Sequence, residues 1–236
     1  IQLGDVKRAA SRVALGGAIL LGLLSVPSLG QAAKMEPNLT KLLGQAAAYQ
    51  AKGQVNQAEK VLKQALGQAQ QAGDKRSEAM VKNNLASLWI LASKKYRSAG
   101  EEADVYLLES LKVAEELKDK KLEASIRVNL GNLLVGWGNY EDAVWNYNEA
   151  VKHADAAGDN ERGAQCRIGM ATAAAFHGSM ELASGYAAKA DENITALKDG
   201  KKKALLHIKL GDVYSRMMDA APDREQRGAC LVKGGE

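Results

Sequence analysis

The chain has 236 residues, 46% of them apolar and 25% charged, with three prolines, one phenylalanine and a formal net charge of +4. That length supports one sizeable or two small cores, and a composition led by Ala, Leu, Lys, Gln and Glu points to helix. The modest charge gives no sign of a nucleic-acid partner, and Cys166 and Cys230 are too far apart for a CxxC-type redox or zinc motif. They leave two readings open, a single disulfide or a pair of inert thiols on helices.

Residues 1–33 are of another kind. Lys7, Arg8 and Arg12 precede the apolar run VALGGAILLGLLSVPSL, from Val13 to Leu29, and a small-x-small GQA follows before Ala33. Basic, apolar and small-residue regions in that order have the layout of a secretory signal, with processing expected near Ala32. As a helix the apolar run spans ~25 Å, a little short of the roughly 30 Å hydrocarbon core. We expect a retained single-span anchor with its basic end on the cis side and the rest of the chain translocated. Ala10, Ala14, Ala18 and Gly22 fall four apart and give this helix a small-residue face on which another membrane helix can pack. The segment resembles the lumen-targeting part of a thylakoid presequence, where a longer transit peptide lies upstream. A bacterial periplasmic signal is the competing origin, and cleavage near Ala32 would leave a soluble protein instead.

From about residue 38 onward the sequence repeats. In NLGNLLVGWGNYEDAVWNYNEA, Asn129 to Ala150, two apolar patterns at helical spacing flank Gly138-Asn139. Gly138 and Ala143 recur 40 residues on as Gly178 and Ala183, and Leu130-Gly131 recurs as Met170-Ala171 and Leu210-Gly211. Upstream, Ala46, Gly53 and Ala58 keep the internal spacing of Gly131, Gly138 and Ala143. Ala103 lies 45 residues after Ala58, so ASKKYRSAGEEA lengthens the turn inside the second copy by five. Asp74, Asp119, Asp159 and Asp199 step by 45, 40 and 40 and share that one insertion.

Each marker has a physical role. Antiparallel helices cross closely only where the contact residues are small, which accounts for Gly131, Ala171, Ala143 and Ala183. Glycine before the second helix supplies the turn. Leu130, Leu134, Tyr147 and Val151 form an apolar stripe that one hairpin cannot bury alone, so the copies must stack. The predicted fold is all-α: a right-handed solenoid of helical hairpins over 38–236, with copies at about 38–75, 76–120, 121–160 and 161–200. The last copy, 201–236, is incomplete. Leu205, Leu206, Ile208, Leu210, Val213 and Tyr214 give it a first helix, but MMDAAPDREQRGACLVKGGE, from Met217 to Glu236, is too short and polar for a second. The chain is expected either to continue past Glu236 or to have this end covered by a partner.

The pattern Leu130-Gly131-x-x-Leu134, then Ala143-x-x-x-Tyr147 and Ala150, resembles the tetratricopeptide repeat. The 40-residue period, with AGD or LKD between copies, is similar to the longer repeats of kinesin light chain and related adaptors. It departs from the commoner form in lacking the closing proline and the first-helix tryptophan. The resemblance implies a protein-binding solenoid whose first helices line a groove. In this register the groove residues are Met80, Asn84, Ser87 and Leu91, then Ser125, Asn129, Asn132 and Gly136. They continue as Gln165, Gly169, Thr172 and Phe176, then Leu205, Lys209, Asp212 and Arg216. Asn84 and Asn129 match the asparagine that, in those adaptors, hydrogen-bonds the backbone of an extended peptide. Gly169 and Lys209 interrupt the series.

His153, His177 and His207 occupy different positions of the repeat, and no phosphate loop, nucleophile elbow or metal-ligand spacing occurs. We expect no enzyme activity, no metal and no cofactor. Lys75, Arg76, Lys118, Lys120, Lys121, Lys198 and Lys201 to Lys203 cluster in the turns between copies, as a basic edge suited to anionic headgroups or an acidic subunit. The expected function is a scaffold subunit or assembly factor of a membrane protein complex, such as a photosystem, on the lumenal or periplasmic side. A soluble peptide-capturing adaptor or chaperone is the alternative.

Overall fold

The computed structural model describes residues 37–93 and 97–220. Among them the chain forms helices only, in the order α1 (Pro37–Ala51), α2 (Val55–Gln71), α3 (Lys75–Ser93), α4 (Arg97–Glu116), α5 (Lys120–Trp137), α6 (Tyr140–Ala156), α7 (Asn160–Phe176), α8 (Met180–Thr195) and α9 (Gly200–Ala220). The apolar segment with Ala10, Ala14, Ala18 and Gly22, and also Cys230, lie outside the described residues.

The chain divides into two compact units, one ending at Gly136 and the other beginning at Trp137. In the first, α1 packs on α2, α2 on α3 and α3 on α4. In the second, α7 packs against α6, α8 and α9, and α8 also meets α9. The crossings are made by small residues. Ala46, Ala58, Ala86, Ala103, Ala143, Ala171 and Ala183 are all fully buried, and Gly131 is buried too. With no side chain beyond Cβ between them, the backbones approach closely and dispersion contacts accumulate along both helices. The second core is accordingly rich in alanine, closed by Ile168, Ile194, Leu206, Leu210, Val213 and Met217.

The turns follow the same economy. Gly138 and Gly178 hold φ of 81° and 84° ahead of α6 and α8, a left-handed conformation that costs glycine nothing. At the α4–α5 turn that conformation falls instead on Lys118, with φ 52°.

Each turn between copies ends on an aspartate that caps the next first helix. Asp74 Oδ1 accepts from the Ser77 N–H at 3.0 Å, Asp119 Oδ1 from Leu122 N–H at 3.0 Å and Asp159 Oδ1 from Arg162 N–H at 3.0 Å. Asp199 Oδ1 accepts from Lys201 and Lys202 N–H at 2.9 and 3.2 Å. A carboxylate there satisfies orphan amides and meets the positive end of the helix dipole.

Candidate interaction faces

In the first unit the expected groove asparagines are not open to water. Asn84, Ser87, Asn129 and Asn132 are all buried, as is Ser125. Asn129 Nδ2 donates to Asn83 Oδ1 at 2.9 Å, and Asn83 Nδ2 reaches Ser125 Oγ at 3.4 Å. One of the two N–H donors of the amide assigned by resemblance to a peptide backbone is thus taken by the neighbouring first helix. Asn83, which is fully buried, is the residue that the register overlooked. The Asn83-Asn84 doublet was its visible signal, since successive helical positions point about 100° apart and only one can face a groove.

In the second unit the corresponding positions divide. Gly169 cannot carry an asparagine at all, because a Cβ there would stand 2.5 Å from Tyr147 Cζ. Thr172 is buried and its hydroxyl donates to Ile168 O at 2.8 Å within its own helix. Phe176 is exposed, and its ring is sandwiched: Tyr140 stacks on it with centroids 5.8 Å apart, and the Arg216 guanidinium lies 4.9 Å over it. Lys209, Asp212 and Arg216 are half-buried on α9 and make no hydrogen bond or ion pair among the described residues. Burial pulls the Lys209 ammonium below its ordinary value of 10.5, with only the Glu161 charge opposing.

The second unit also holds a cleft of about 310 Å³ on the side of its second helices. Tyr140 and Val144 of α6 form one wall, Leu182 and Tyr186 of α8 the other, and Ala173 and Ala174 of α7 the floor. Glu141, His177 and Ser179 supply the polar rim, with His177 Nδ1 and Ser179 Oγ 3.1 Å apart.

The chain is similar in fold to BtubC (BKLC) from P. vanneervenii. Its crystal structure matches over 99% of this chain and 88% of that one, with a TM-score of 0.63 at 20% sequence identity. No protein-family model and no curated protein matches the sequence. The all-helical architecture and this likeness are compatible with a tetratricopeptide-like repeat, and a helical-repeat fold suggests a scaffold for protein partners.

The basic turns are less free than the sequence implied. Arg76 bonds Asp119 at 2.6 Å, Lys120 bonds Glu123 at 2.9 Å and Lys202 bonds Glu161 at 2.5 Å. Lys203 Nζ donates to Thr195 O at 3.0 Å. Lys75, Lys118, Lys198 and Lys201 are exposed. His153 lies on α6, His177 at the end of α7 and His207 on α9, 3.6 Å from Asp191. Among the described residues no group of three or more His, Cys, Asp or Glu is placed to hold a metal ion, and no helix is long and apolar enough to cross a membrane. Cys166 is a buried free thiol, and burial pushes its pKa up to about 12.

Proposed function

We propose that this chain is a non-catalytic scaffold. Its hairpins are long tetratricopeptide-like repeats stacked as a right-handed solenoid, and their first helices hold a protein partner. The observation that carries the reading is the state of α9. Lys209 and Arg216 are half-buried on that helix, and neither makes a hydrogen bond or ion pair among the described residues; the Glu161 charge opposes the burial of Lys209 only in part, and Arg216 has the Phe176 ring in place of a carboxylate. Withdrawing a cation from water with so little to offset it costs stability. A helix that keeps two is suited to a partner better than to its own packing.

The signal-like pattern of residues 1–33 supports delivery or tethering to the trans side of a membrane. There the partners are subunits of a membrane complex, with the thylakoid lumen and a photosystem as the favoured setting and the bacterial periplasm as the other.

Lys209→Met separates a partner-facing charge from a structural one. It should raise the thermal midpoint by about 2–4 °C, the shift that about 1 kcal/mol brings in a chain of this size. Recovery of the native complex with the tagged chain should fall about tenfold or more. A lower midpoint with unchanged recovery makes Lys209 structural and sinks the reading. Carbonate washing of the source membranes tests the tether: the full-length chain should stay in the pellet, and its release overturns the anchor.

A further inference from the structure

The cleft on the second-helix side exists because residues that fill this space elsewhere in the chain are missing here. In the 40-residue register, Ala173-Ala174 of α7 corresponds to Leu133-Leu134 of α5 and to Leu88-Trp89 of α3. Tyr186 of α8 corresponds to Tyr106 of α4, 80 residues earlier. Trp89 precedes Ala174 by 85 because the five-residue insertion of the second copy falls between Trp89 and Tyr106. In the first unit the Trp89 indole is buried and packs on the Tyr106 ring with centroids 5.1 Å apart. In the second unit the equivalent ring, Tyr186, faces a cleft whose floor is the methyl of Ala174.

Size and chemistry agree with what is missing. A cavity of roughly 150 Å³ suffices for benzene, and ligand pockets begin near about 300 Å³. The cleft offers about 310 Å³, room for a bicyclic ring. Its Tyr140 wall is held in place by the stacked Phe176 ring and by His177 at its edge, 6.3 Å between centroids. The Glu141 carboxylate on the rim can accept the N–H that a bound indole must satisfy.

We propose that this cleft receives one flat aromatic group of indole size, the side chain of a tryptophan on a partner protein, in the place that Trp89 fills from within in the second copy. No residue of α9 lines this site, and α9 reaches it only through Arg216 over the Phe176 ring, so Lys209 plays no part in it.

The test uses the full chain with N-acetyl-5-fluorotryptophanamide and with free 5-fluoroindole, followed by fluorine NMR line broadening, which the chain's own tryptophans do not obscure. Both probes should broaden saturably. Ala174→Trp, which plugs the cleft from the floor, should weaken the effect about tenfold or more, and Lys209→Met should leave it unchanged. Leu182 is 56% exposed, so Leu182→Lys spoils one wall without threatening the fold and should weaken binding several-fold. That second variant decides the matter if circular dichroism shows Ala174→Trp to be unfolded. No saturable broadening, broadening untouched by the folded variants, or binding of the free ring without the amide overturns the proposal.

Discussion

Lys118 occupies a backbone conformation that two of its counterparts leave to glycine, with Gly73 and Gly158 at φ 65° and 64° in the equivalent turns. A β-carbon in the left-handed region costs roughly 1 kcal/mol, partly returned because glycine is freer in the unfolded chain. Lys118→Gly should therefore stabilise the chain by up to about 0.5 kcal/mol, read as a higher urea midpoint. Gly169 is the opposite case. Restoring the interrupted series with Gly169→Asn would press a β-carbon into the ring of Tyr147, which is fully buried. Overpacking of this kind costs about 1–3 kcal/mol, so the midpoint should fall, and an unchanged midpoint would show that Tyr147 yields.

At the level of the helices, the four capping aspartates divide into those with one task and those with two. Asp199 caps α9 and is exposed, whereas Asp119 caps α5 and also binds Arg76 of α3. Asp199→Ala should cost about 0.5–1 kcal/mol as a lost cap. Asp119→Ala should cost more, about 1–2 kcal/mol, and in the Arg76→Ala background the excess should vanish, which a double-mutant cycle on urea melts can read. Turn glycines, capping aspartates and crossing alanines were legible in the sequence because each is a local demand of the backbone, repeated at one period. The faces were not, because they depend on which side a neighbour takes. The register marked Asn84 and Asn129 but could not tell that Asn83 would accept one hydrogen bond from the Asn129 amide, nor that Tyr147 would lie across Gly169. It also passed over a ladder of basic side chains. Lys82, Arg127, Arg167 and His207 step by 45, 40 and 40, and Arg127 and Arg167 each reach an acid twelve residues back, Glu115 and Asp155.

For the molecule as a whole, these ties set the response to pH. Burial alone would raise the Glu123 carboxyl, but hydrogen bonds from Lys120 and Arg127 outweigh it and hold it below the ordinary 4.5. Glu78 is also held low, chiefly by its bond from Lys82. The unfolded chain thus binds these protons first, so the stability they contribute is complete above pH 4.5 and drains away as pH falls through the folded values. Lys209 slopes the same way in a higher window, its lowered pKa adding stability as pH climbs from the folded value towards 10.5. Urea midpoints should therefore decline below pH 5, and Glu123→Gln should flatten that decline; an unaltered slope would remove Glu123 from the account. The backward reach of Arg127 and Arg167 has one more consequence. A polypeptide that emerges amino end first, from a ribosome or through a narrow pore, presents each of these arginines only after the acid it grips is already out. The helix that carries each of these two arginines can dock on the helix before it as it arrives, so less greasy surface need wait uncovered while the remainder is still being threaded.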